Sequence, residues 1–147
     1  MALYTFDTSF IISNKLSDIP DNFLLSEIVI LELIASASDD TGFKKFQAIR
    51  REYKSADLLI TPNSDDWLMS SKVLHWLEQG KRKGNKGKSL PKMPGATQKM
   101  ALDALIAVSA RRHKVTVVTE NWGDFNSIKY YCDFKLMKGA DFLAKYK

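Results

Sequence analysis

The sequence predicts an α/β protein, a three-layer α/β/α sandwich with a central parallel sheet, and three observations carry that expectation. Short runs rich in β-branched and aromatic residues alternate with segments of helical periodicity, and parallel strands joined by helical crossovers require that alternation. The chain has 147 residues, the size of one domain with its own core, and no internal repeat divides it. Acidic residues directly follow strand-like runs, where open parallel sheets hold their ligands.

Taken in order, Leu3 to Phe6 reads as a strand and Thr8 to Leu16 as the helix after it, with Thr8 or Ser9 suited to cap its exposed N–H groups. Phe23 to Ser26 is a second strand, and Glu27 to Ala37 a helix capped by Ser26. Phe43, Phe46, Ile49 and Tyr53 recur at helical spacing within 41–53, and Leu58 to Thr61 before Pro62 reads as a strand. A helix opens at Ser64 and ends near Gly80. Residues 81–95, KRKGNKGKSLPKMPG, hold glycines, lysines and two prolines and read as a basic loop within a single domain spanning 1–147. Thr97 to His113 is the clearest helix and Val115 to Thr119 the clearest strand. A polar turn, a last strand at Phe134 to Met137 and a short helix from Ala140 complete the chain.

Composition narrows the function classes. No apolar run approaches the roughly 18 residues of a membrane span, and no basic-then-apolar leader is visible, so a cytoplasmic protein is expected. One cysteine, Cys132, and two histidines cannot build a disulfide framework or a Cys/His zinc site, so any metal must be held by oxygen. The net charge of +5 is concentrated: between Glu78 and Asp103 lie seven basic residues and no acid, while the remaining 15 basic residues are outnumbered by 17 acids. Such a patch fits a polyanion such as RNA, with Lys81, Arg82, Lys83, Lys86 and Lys88 at its centre; charge alone fits a solvated loop equally.

Four acids stand where acids are costly. At about 100° per residue, Asp103 points from the middle of an apolar helix face, close to the directions of Ala107 and Ala110. A buried carboxylate there needs a cation, a donor cluster or water, and Asp103 lies too far past Thr97 to cap its helix. Asp7 directly follows the first strand, where it serves either as a ligand or as a helix cap. Glu32 is a lone acid in the apolar segment SEIVILELIA. Asp124 follows the strand ending at Thr119, in TENWGDF, where Glu120 and Asn121 compete for the same role. Brought together, these acids would form a pocket that only a divalent cation neutralises, and hard oxygen ligands suit magnesium or manganese with a phosphate-bearing substrate.

The same residues resemble a known family. LYTFDTSFII is similar to the opening strand and Asp-x-Ser/Thr turn of PIN-domain nucleases, SEIVILELIA to their second motif, and ALDALIAVSARRHKVTVVTENWGDF to their third and fourth motifs in order and spacing. Within that family the chain most resembles the VapC-type toxins of bacterial toxin-antitoxin pairs. The resemblance implies a magnesium- or manganese-dependent endoribonuclease that inhibits translation. Asp7, Glu32, Asp103 and Asp124 match the family's catalytic, metal-holding acids, and Thr8, Ser9, Thr119 and Asn121 its supporting polar positions. It also implies a homodimer and a small antitoxin whose tail fills the acidic groove. Two other functions fit these residues: a PIN nuclease of RNA processing or decay with no antitoxin, and a non-catalytic RNA-binding module whose acids only cap helices. The basic loop is longer than compact toxins of this type carry, so its role as an RNA contact is read from charge.

Overall fold

The computed structural model describes residues 3–14, 23–83 and 96–146. Strand β1, Tyr4–Phe6, leads into α1, Thr8–Ser13; β2, Phe23–Ser26, leads into α2, Glu27–Ala35, and then α3, Asp40–Ser55. Next come β3, Leu59–Ile60, and two long helices, α4, Ser64–Lys83, and α5, Ala96–Arg112. The last four elements are β4, Thr116–Thr119, α6, Trp122–Tyr131, β5, Lys135–Lys138, and α7, Gly139–Tyr146.

All strand pairs are parallel, in the order β3-β2-β1-β4-β5, and helices flank the sheet as the sequence predicts. β1 is central: Tyr4 faces Phe23 of β2 and Thr116 of β4, and Phe6 faces Val118. Alternation along β1 sends Tyr4 and Phe6 to one face. There Phe6 stacks on Phe10 of α1 at 4.9 Å and meets Phe142 of α7 edge-on at 5.1 Å, a geometry that adds to the burial of both rings. α5 is enclosed nearly all round, with Ala104, Leu105, Ile106, Ala107, Val108 and Ala110 buried together. A helix apolar on every side is a core helix, and α5 packs on α4, α6, α2 and β4.

Several boundaries depart from expectation, each for a local reason. α1 stops at Ser13 rather than Leu16, because Asn14 is extended and its side-chain amide donates to the Phe10 carbonyl. α4 passes Gly80 and runs to Lys83, so Lys81, Arg82 and Lys83 are the last residues of a helix and not the start of a loop. Lys86 and Lys88, with the rest of the predicted loop, lie outside the described residues. The largest correction is α6, where the sequence shows a polar turn. The Asn121 side chain accepts no capping hydrogen bond from the helix backbone, and Gly123, Asn126 and Ser127 weaken the helical pattern. Burial of Phe125 and Ile128 holds it in place, and the parallel pairing of β4 with β5 demands a crossover there. Among the described residues no helix is long and apolar enough to cross a membrane.

Candidate active site

The strand order reverses between β1 and β4, and open parallel sheets bind ligands at the carboxyl ends beside such a reversal. Asp7 stands there, one residue past β1, its N–H donating to the Val118 carbonyl at 3.1 Å as a continuation of the ladder. Its side chain is 1% exposed. Three donors make that burial tolerable: the Phe10 N–H at 3.0 Å, the Ser9 hydroxyl at 2.8 Å and the Thr119 hydroxyl at 2.5 Å. Asp7 is therefore the N-cap of α1, a role expected for Thr8 or Ser9. Those hydroxyls are turned to the acids instead. Ser9 serves Asp7, and Thr8 donates to Glu32 Oε1 at 3.0 Å, tying α1 to α2.

Asp103 is fully buried on α5. Lys99, one turn earlier, donates to its Oδ1 at 2.5 Å, while Oδ2 has no hydrogen-bond partner among the described residues. Burial, opposed by the Lys99 charge and its hydrogen bond but reinforced by Asp7 and Glu32, raises the Asp103 carboxyl to about 7. Lys99 sits in the same field. Its own burial lowers its pKa, yet Asp103, Glu32 and Asp7 together hold it above the ordinary lysine value. The fold thus brings Asp7, Glu32 and Asp103 into electrostatic contact around one ammonium group.

The fourth expected acid is placed differently. Asp124 lies in the first turn of α6, where the Asn121 amide donates to its Oδ2 at 2.9 Å. The Asn121 N–H in turn donates to the Thr119 hydroxyl at 2.8 Å, so Thr119 links the Asn121–Asp124 turn to Asp7. Glu120 joins that chain of contacts through its backbone N–H, which donates to the Ser9 hydroxyl at 3.3 Å. Its carboxylate lies against the backbone of Gly139 at the start of α7, where a Cβ would meet both Glu120 Oε1 and the Phe10 ring. Lys99 was counted in the sequence only as part of the basic segment. Its spacing of four residues before Asp103, a helical contact distance, was the signal available.

Among the described residues no three acid, histidine or cysteine side chains are gathered as a metal shell. The donor set nevertheless suits a hard cation. It is built of oxygen alone, it includes one buried carboxylate oxygen with no partner, and it already draws a lysine ammonium inward.

An open parallel sheet with Asp7, Glu32 and Asp103 gathered at its strand reversal defines the class of protein. Within that class, the PIN domain family model matches residues 4–129, so the chain belongs to the PIN domain family, whose members are generally nucleases. The curated proteins include no match. Solved structures agree on the fold. DNA-bound VapBC from Salmonella typhimurium matches with 21% identity and a TM-score of 0.60, over 95% of this chain and 99% of that one. VapBC-1 from nontypeable Haemophilus influenzae gives 19% and 0.55, over 94% and 98%. VapBC-5 from Mycobacterium tuberculosis gives 18% and 0.52, over 94% and 99%.

Proposed function

We propose that this PIN domain, acting as a single domain in the cytoplasm, is a magnesium- or manganese-dependent endoribonuclease and the toxin of a toxin-antitoxin pair, arresting translation by cutting RNA. The observation that carries the nuclease reading is the buried Asp103, whose Oδ2 has no partner among the described residues, in the field of Asp7 and Glu32 at the strand reversal. Asp7, Glu32 and Asp103 would hold the cation, with Asp124 as the fourth acid. A divalent cation supplies Lewis acidity and charge neutralisation for in-line attack of water on a phosphodiester.

The chain's own groups prepare that site. Thr119 and Ser9 fix the Asp7 carboxylate by hydrogen bonds, Thr8 fixes Glu32, and Asn121 fixes Asp124. Fixed carboxylates reorganise little as charge develops, which is how a preorganised site lowers a barrier. The basic residues Lys81, Arg82, Lys83, Lys86 and Lys88 neutralise RNA phosphates, supplying affinity without choice of sequence. The toxin reading draws on the likeness to VapBC proteins, and with it come a cognate antitoxin and a homodimer as partners.

Purified protein incubated with mixed tRNA and rRNA tests the nuclease reading directly. Cleavage is expected with magnesium or manganese, and is expected to vanish in chelator and in Asp103→Asn. Cleavage persisting in either condition would overturn the cation mechanism. Growth arrest on expression, relieved by the same substitution, is expected of a toxin.

A further inference from the structure

We propose that Lys99 is the resident counter-cation of the acidic cluster: its ammonium holds the place of a divalent cation, which loads by displacing it. This rests on the metal-nuclease reading and assigns a function to a residue which that reading leaves unused.

The Lys99–Asp103 pair is not explained as a helix-stabilising device. Within helices an acid four residues before a lysine is the favourable order, and here the lysine comes first. Lys99 also lies in the first turn of α5, where the helix dipole disfavours a positive charge. What draws the ammonium inward is the group of carboxylates beyond it. Nζ is 2.5 Å from Asp103 Oδ1, and the charges of Glu32 and Asp7 act on it as well.

One ammonium is a poor match to that group. It satisfies a single oxygen of Asp103 and leaves Oδ2 without a partner among the described residues, and one positive charge faces three acids. A divalent cation is the better neutraliser, and two cations cannot share one carboxylate cluster without strong repulsion. Lys99 has a way out, because its side chain is 45% exposed while that of Asp103 is fully enclosed. Its flexible four-carbon stem can swing to water while the carboxylate stays. Lys99 thereby sets the cation concentration at which the site fills.

Manganese alone is the probe, with free Mn followed by electron paramagnetic resonance for wild type, Lys99→Met and Lys99→Arg. Lys99→Met is expected to bind about tenfold tighter or more, since a competing charge a few ångströms away is gone. Lys99→Arg keeps the charge and is expected to stay near wild type. Should wild type bind manganese and Lys99→Met bind no tighter, the displacement idea falls while the cation site stands. Should neither bind, both readings fall together.

Removing Lys99 leaves a buried carboxylate unpaired and can prevent folding without metal, so a second measurement uses the wild-type chain. Lys99 acetylation by a small amine-reactive ester is followed by peptide mass spectrometry, in chelator and at saturating manganese. Manganese is expected to speed labelling of Lys99 several-fold while leaving surface lysines unchanged. Equal rates would overturn the proposal.

Discussion

At the scale of single residues, Asp103 is expected to make stability depend on pH. Its carboxyl is raised to about 7 from an ordinary value of 3.8, chiefly by burial and then by Asp7 and Glu32 acting against Lys99. Between those two values the folded chain holds a proton that the unfolded chain has lost. Stability in chelator therefore falls as pH rises from about 4 to about 7 and levels off above, because the folded state binds more protons over that interval. Urea unfolding of the metal-free protein across about pH 5 to about pH 8 checks this, and the slope should flatten in Asp103→Asn. An equal slope in both proteins would remove Asp103 as its source. Cation affinity is expected to move the opposite way, tightening as the carboxyl ionises. Asp7, by contrast, resolves a choice the sequence leaves open. It is both the cap of α1 and a buried acid at the strand reversal, because one carboxylate has room for the Phe10 N–H and for the Ser9 and Thr119 hydroxyls.

At the scale of elements, the two long helices are clamped at one end by a compact polar knot. Asn63 and Asp66 exchange hydrogen bonds at the start of α4, the Asp66 N–H to Asn63 Oδ1 at 2.8 Å and the Asn63 N–H to Asp66 Oδ2 at 3.0 Å. Arg112, at the end of α5, grips Asp66 through Nε at 3.0 Å and reaches the Thr61 carbonyl at 2.9 Å. Because α5 carries Asp103, this clamp helps set where the acid sits. Asp66→Ala is expected to cost about 2 kcal/mol, combining a lost cap with a broken, partly exposed ion pair. A urea midpoint displaced by less than a surface substitution would produce would show that the knot is dispensable. α6 escaped the sequence reading at this same scale. Its helical signal is two apolar residues, Phe125 and Ile128, and local propensity was outweighed by the burial of those two side chains in the core.

At the scale of the whole chain, charge is divided between a basic segment and a cluster of acids at the strand reversal, and the proposed RNA substrate draws on both. If Lys86 and Lys88 each neutralise one phosphate, replacing both by alanine should reduce the slope of log affinity against log salt by about 1.4 for single-stranded RNA. An unchanged slope would assign those lysines to another task. The parallel sheet, most of its strands and helices, and the acids Asp7, Glu32 and Asp103 that the fold groups at the reversal were legible in the sequence, since period and burial argument depend only on local order: Asp103 among alanines, Asp7 after LYTF, Glu32 within an apolar helix. The family likeness was legible for the same reason. Tertiary structure alone decided that Thr8 serves Glu32 while Ser9 serves Asp7, that Glu120 turns to Gly139 and Asp124 to Asn121, and that Lys99 stands among the acids. Those outcomes depend on distances between segments far apart in the chain, and such distances exist only once the sheet has closed and the helices have packed on it.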